Sequence, residues 1–363
     1  MNKVFSSFKI KDVLPAFINK EKPAKYYYEE QLGYLARLQT GSGAIRDRIS
    51  AFSGGKEKSK ITPYFANMAA MALTTDSNQL DTVKRYMAWY INHLNLPEKK
   101  KYKDNNLYGT IFDYYSKGYE QSTGDYDSAD SYAATFLSLA RAYYQAGGDK
   151  AFLLSNAQMF RTISNTLLAL MDSDSLTWAK PDYQIKYLMD NCEVYKGLKD
   201  YTYLLRELFN DKTAAQEYEN YAEKVKSALL GKMRNNIEFF SLCSESQCEP
   251  VNWGKWYPDA VSQLYPILFE VIPPDHPDAL YLVMKLNKKW KWPDFKTKDS
   301  FPWVLAGYVN VLTGNRKPAE RFYKNLIKKY ISPAEGTQKP GWYSLEAAWF
   351  VMMVNKMIIK GWL

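Results

Sequence analysis

The feature that most restricts this 363-residue chain is an alternation between two kinds of helical segment. Apolar periodicity and stop signals predict twelve helices, near 25–38, 62–74, 78–95, 127–146, 153–171, 189–209, 212–233, 256–270, 276–289, 300–314, 317–331 and 342–361. Even-numbered ones, such as "EAAWFVMMVNKMII" and "PDAVSQLYPILFEV", are apolar nearly all round, whereas odd ones such as "TAAQEYENYAEKVKSALLGKM" keep a polar stripe. A helix without a polar face is buried on every side, so the even set is expected inside and the odd set around it. The expected fold class is all-α: an (α/α)6 toroid of six helical hairpins, one domain over 1–363 with 1–24 as an N-terminal extension.

The connections support this arrangement. After an even helix the chain turns back within a few residues, as at "TTDS", "AGGDK" and "TGNR". Before an even helix the connections are long: 39–61, 96–126, 172–188, 234–255, 290–299 and 332–341. All six are expected on one end of the ring, and long structured loops in a compact fold usually carry function. "LYGTIFDYYSKGYEQS" and "NNIEFFSLCSESQCEPV" read as β-hairpins within those loops. Pro63, Pro258 and Pro302 are expected in the first turns of inner helices, where a missing N–H costs nothing.

Composition narrows the function classes. The net charge of +9 is carried mainly by amphipathic helices such as "RKPAERFYKNLIKKYI", a pattern of solvated outer faces rather than a nucleic-acid groove. No apolar run reaches the length of a membrane span. The N-terminus lacks the sustained apolar segment of a signal peptide, so the expected compartment is the cytoplasm, or outside it if a leader has been trimmed. Two histidines and three cysteines do not readily build a zinc site, and "DYDSAD" lacks the glycine and terminal glutamate of a calcium loop, so no metal or other cofactor is expected. Cys243 and Cys248 in "CSESQC" either close a disulfide or stay as two loop thiols.

Acidic residues gather where the inner helices begin. The fourth opens "DYDSADSYAATF", the sixth "MDNCEVYKGL", the eighth "WYPDAVSQL" and the twelfth "WYSLEAAWF", contributing Asp127, Asp130, Asp190, Glu193, Asp259 and Glu346. Any one of these can be a helix-dipole partner, but four helices bringing acids to one end make an acidic bowl. Cleaving a glycosidic bond needs two carboxyl groups, one to protonate the leaving oxygen and one to activate water or attack the sugar. The expected catalytic set is Asp127 or Asp130 as base with Glu193 or Glu346 as acid, Asp190 and Asp259 being further candidates for the partner across the bowl. Tyr64, Tyr126, Trp253, Trp256, Tyr257, Trp303, Trp342 and Tyr343 stand at the same ends, where flat rings can stack on sugar faces.

With these features the chain resembles the six-hairpin glycosidase superfamily, which includes glucoamylase-like, family 8 and unsaturated-glucuronyl hydrolases. "DYDSADSYAATFLSLA" is similar to the family 8 pattern in which an aspartate-rich start leads an inner helix, and carried over it points to Asp127 or Asp130. That family places its general-acid glutamate just ahead of the second helix, where this chain has Lys60, with Glu57 farther upstream. The resemblance implies the fold, sugar-directed chemistry on a carbohydrate substrate and hydrolysis with inversion; a monomer is expected. Ring-shaped sugar epimerases use histidine bases, and neither His93 nor His276 falls at the expected mouth. A non-catalytic glycan-binding toroid or envelope scaffold would keep the rings and dispense with the acid pair.

Overall fold

The computed structural model describes residues 22–48, 59–97, 107–116, 119–235, 239–244, 248–331 and 340–363. The expected extension falls almost wholly outside them, as do Glu57 and most of the 332–341 connection. The helices are α1 (Ala24–Arg37), α2 (Pro63–Leu73), α3 (Leu80–Asn92), α4 (Ala129–Gln145), α5 (Lys150–Ser155), α6 (Ala157–Leu170), α7 (Leu188–Glu207), α8 (Lys212–Ala228), α9 (Tyr265–Leu268), α10 (Pro277–Lys289), α11 (Val304–Leu312), α12 (Arg316–Leu326) and α13 (Ser344–Ile359).

They form two concentric rings, an (α/α)6 toroid. On the inside, α13 packs on α2, α2 on α4, α4 on α7, α7 on α9, and α11 on α13. Outside them, α1 lies on α13 and α2, α6 on α4, α8 on α7 and α12 on α11. Burial follows the two sequence patterns. In α13 the buried set runs round the helix, from Ser344 and Glu346 through Trp349, Phe350 and Val351 to Met357. In α12 only the stripe Ala319, Phe322, Tyr323 and Leu326 is buried. One apolar cluster joins Tyr27 of α1 to Met357 of α13, and no described helix is long and apolar enough to cross a membrane.

The departures from the sequence reading have local causes. The segment expected as one helix over 153–171 is two, α5 and α6, with Asn156 in a non-helical conformation between them. The eighth segment is interrupted: Trp256–Ala260 is a wide turn in which Tyr257 is extended (φ −121°, ψ 138°) before the cis Tyr257–Pro258 bond, and a second turn at Gln263–Leu264 precedes α9. Pro63 does open α2, but Pro302 lies outside α11, which begins two residues later behind Trp303 in the left-handed region (φ 54°, ψ 56°). Strands β2 (Tyr114–Ser116) and β3 (Glu120–Ser122) pair antiparallel where a hairpin was expected, and β1 (Ser59–Ile61) adds to β2. The second expected hairpin is β4 (Arg234–Asn235) with β5 (Phe239–Phe240).

A close helix approach lies under the acidic end. A Cβ on Gly197 of α7 would come within 2.6 Å of the Ala134 backbone of α4, so only glycine lets these two helices approach this closely. The same approach brings the starts of α4 and α7 together, and with them Asp130, Ser131, Asp190 and Glu193.

Candidate active site

A cavity of about 870 Å³ opens at the end of the ring where the inner helices begin. Tyr64 and Phe65 of α2, Ser131 and Tyr132 of α4, Met189, Asp190 and Glu193 of α7, and Leu345 and Glu346 of α13 line it. The long connections supply Asp47, Lys60, Asp113, Tyr126, Asp127, Lys180, Asp299, Phe301 and Trp303 to the same walls. Eight carboxyl groups (Asp47, Asp113, Asp125, Asp127, Asp190, Glu193, Asp299 and Glu346) stand against two lysines, in a chain whose overall charge is +9. The bowl is therefore acidic within a basic molecule.

Glu193 lies one turn into α7 and is 3% exposed. Its Oε1 accepts a 2.6 Å hydrogen bond from the Tyr64 hydroxyl, and its Oε2 accepts one from the Ser131 hydroxyl. Burial pushes its pKa up to about 8; the two hydroxyl donors oppose the rise and the Asp130 charge adds to it. Tyr265 also hydrogen-bonds with Tyr64, so three side chains from α2, α7 and α9 interlock. Beside them, Asp190 accepts from the Ser128 hydroxyl at 2.7 Å. Burial, then Asp130 and Glu193, push its pKa well above the ordinary carboxylate value.

Glu346 comes from α13, on the other side of the ring. Its Oε2 accepts a 2.8 Å hydrogen bond from the Val304 backbone N–H, one of the unpaired donors at the start of α11. Its other oxygen makes no hydrogen bond among the described residues. Burial pushes this carboxyl up to about 8 as well, against the lowering effect of that N–H. Two carboxyls of raised pKa thus reach one cavity from two different inner helices.

Asp130 is placed differently. It is fully buried and does not line the cavity. Its oxygens accept from Ser128 Oγ at 2.7 Å, the Ser131 N–H at 2.8 Å and Thr177 Oγ1 at 2.7 Å. It therefore completes the N-terminus of α4 and ties the 172–188 connection to it, a capping role. Asp127, three residues earlier, is exposed and lines the wall. Asp47 accepts from the Thr62 N–H and hydroxyl at 2.7 and 2.8 Å, and burial raises it to about 6. Lys60, where the resemblance would put a glutamate, holds Asp113 at 2.8 Å instead.

The expected aromatic residues divide into two groups. Tyr64, Tyr126, Tyr257, Trp303 and Tyr343 line the cavity, with Tyr257 stacked on Trp303 at 4.7 Å and Tyr343 on Phe301 at 5.4 Å. Four of the expected binding residues do not line it. Trp342 is buried, donating its indole N–H to Gln31 at 3.0 Å against Tyr330. Trp256 is buried against Trp290, while Trp253 lies beneath Lys285 and accepts at its carbonyl from Trp290. Asp259 is buried and accepts from the Asn252 N–H at 2.7 Å, which closes its own loop. In each case helix-top packing uses the ring or acid before a ligand can.

The sequence reading did not name Asp47, Asp113, Ser128, Ser131, Tyr265, Asp299 or Phe301. Asp47, Asp113 and Asp299 lie in the long connections, so loop length was the signal that pointed to them.

No protein-family model matches the chain, and no curated protein matches it by sequence. Solved structures do match. A glycosidase aligns over 94% of this chain and 97% of its own with a TM-score of 0.66 at 12% identity, and one structure in that group is a complex with glucose. An alpha-amylase from Clostridium perfringens covers 91% of this chain and 97% of its own (TM-score 0.61, 10% identity). A bacterial glucoamylase complexed with acarbose covers 92% of this chain and 55% of its own (TM-score 0.60, 12% identity). The chain thus has the six-hairpin fold of these glycosidases.

Proposed function

We propose that the protein is a glycoside hydrolase that cleaves an oligo- or polysaccharide with Glu346 as general acid and Glu193 as general base. The observation that carries this is the placement of two buried carboxyls of raised pKa on α7 and α13, on opposite sides of one aromatic-lined cavity. An acid and a base must straddle the bond they cleave, and two acids on one helix face are poorly placed to do so. The likeness to glycosidase structures supports the reaction class.

The roles follow from the oxygens. A general acid must point a proton at the departing oxygen; Glu346 has one oxygen fixed by the Val304 N–H and the other open. Both oxygens of Glu193 accept from hydroxyls, which favours its anion and fixes its orientation. A raised pKa keeps Glu346 protonated at neutral pH, while Glu193 acts in its ionised form, a stronger acceptor of a water proton than an ordinary carboxylate, so activity should grow as pH rises toward 8. The base delivers water to the sugar carbon as the acid protonates the leaving oxygen, so the anomeric configuration inverts. Asp127 and Asp190 are placed to bind sugar hydroxyls, and Tyr257 with Trp303 to stack on a ring face.

The test is a reducing-sugar screen on α- and β-linked oligosaccharides and polysaccharides, followed by proton NMR of the first product anomer. Glu193→Gln and Glu346→Gln should each lower turnover by ~10²–10⁴-fold, with folding checked by circular dichroism. Near wild-type turnover in either variant refutes the pair; binding without cleavage in the wild type refutes the enzyme.

A further inference from the structure

A second cavity, of about 520 Å³, adjoins the first. Asp127, Asp190 and Tyr257 line both, so the two share an edge. Neither Glu193 nor Glu346 lines the second, so anything bound in it is held away from the reacting bond. Its outer wall is Tyr183, 45% exposed, whose hydroxyl lies 3.0 Å from that of Tyr187. Tyr257, 50% exposed, stands at the junction because the extended backbone there lifts it out of the eighth helical segment.

Leu242 and Cys248, next to and within a disulfide, supply another part of this cavity's wall. Cys243 and Cys248 are bonded, and Cys248 faces the cavity. The strand-like segment beside it is fixed to the residues that lead into α7: Leu188 N–H donates to the Leu242 carbonyl at 2.9 Å and Ser244 N–H to the Lys186 carbonyl at 3.1 Å. Lys186 in turn bridges Asp172 at 2.7 Å and Asp174 at 2.8 Å. Two connections, 172–188 and 234–255, are thus fastened together beside a space that neither Glu193 nor Glu346 lines.

We infer that this second cavity holds sugar units remote from the cleaved bond, so that the substrate is an oligosaccharide chain long enough to run from the Glu193–Glu346 cavity past Asp190 and Tyr257 to Tyr183. The inference rests on the glycosidase reading for the direction of the chain. Its chemistry is that of sugar recognition: exposed phenol rings for stacking, and a carboxyl and hydroxyls at the junction for hydrogen bonding. Binding energy from such remote units lowers the barrier at the reacting centre, so it appears in kcat/KM as a dependence on chain length.

The experiment uses the full chain with malto- and cello-oligosaccharides of two to six units, measuring kcat/KM and, by calorimetry, binding to Glu346→Gln. In the wild type kcat/KM should rise at least tenfold between the shortest and longest cleaved chains. Tyr183→Ala should remove most of that rise while leaving the shortest cleaved chain unchanged, and Tyr183→Phe should keep it. A length preference unaffected by Tyr183→Ala, with its melting temperature preserved, overturns the inference. If the wild type cleaves nothing, the glycosidase reading fails, and the cavity is judged by binding alone: affinity that grows with length and falls in Tyr183→Ala sustains it. No binding of either series overturns it.

Discussion

The Tyr64 hydroxyl donates a 2.6 Å hydrogen bond to Oε1 of Glu193, joining residues 129 positions apart. That bond lowers the Glu193 pKa against the effect of burial. Tyr64→Phe removes it while keeping the ring, so the carboxyl should hold its proton to higher pH. The rising limb of the kcat/KM profile should move toward alkaline pH, with activity at pH 7 reduced by ~10-fold or more. A profile that falls in height without shifting would show that Tyr64 serves only to bind substrate.

Glu346→Gln keeps the acceptor for the Val304 N–H but has no proton to give. On natural linkages it should be nearly inactive. On a glycosyl fluoride or nitrophenyl glycoside of the same sugar, whose leaving group needs no protonation, activity should recover by at least ~10²-fold relative to the natural linkage. Glu193→Gln should show no such recovery. Recovery in the reverse order would exchange the two roles.

The same two groups make a prediction about stability. Each carboxyl has a pKa raised from 4.5 to about 8 in the folded protein. The native state therefore binds more protons than the unfolded chain between those values. Their contribution is fully present below pH 4.5 and is lost as pH rises through 8. Thermal melts of the wild type should fall from pH 5 to pH 8.5, and Glu346→Gln should melt a few degrees above wild type at pH 8.5 while differing little at pH 5. Equal pH dependence in both proteins would mean the carboxyl ionises normally.

Trp303 combines a left-handed backbone with a ring stacked on Tyr257. A non-glycine residue in that region costs on the order of 1–3 kcal/mol. Trp303→Gly should therefore melt above Trp303→Ala, although both lose the ring, and both should weaken oligosaccharide binding by ~10-fold. If the alanine variant is the more stable, the backbone strain is absent.

The rings of helices were legible because burial on all sides leaves a plain mark on a helix such as α13, and a striped helix such as α12 leaves another. Loop lengths gave the end at which the cavity opens. What could not be read was direction around a helix top. Trp342 and Tyr343 are neighbours in sequence, yet one packs outward on Tyr330 and the other lines the cavity. Asp127 and Asp130 share a motif, yet Ser128, Thr177 and the Ser131 N–H enclose only the second. Thr177 comes from a connection 47 residues away, and no local pattern announces it. The break at Tyr257 was likewise hidden, since the apolar content around it suits either a helix or an extended turn.

The position of α13 has a bearing on biosynthesis. This helix closes the inner ring, packing between α2 and α11 with α1 behind it, and its first N–H docks on the Asp47 carbonyl at 2.7 Å. The other five inner helices leave the ribosome before it does, so until it emerges the chain lacks Glu346 and that share of the cavity wall. If the proposed glycosidase reading holds, a chain ended before this helix should be inactive, and competence should arrive only when the last stave closes the ring.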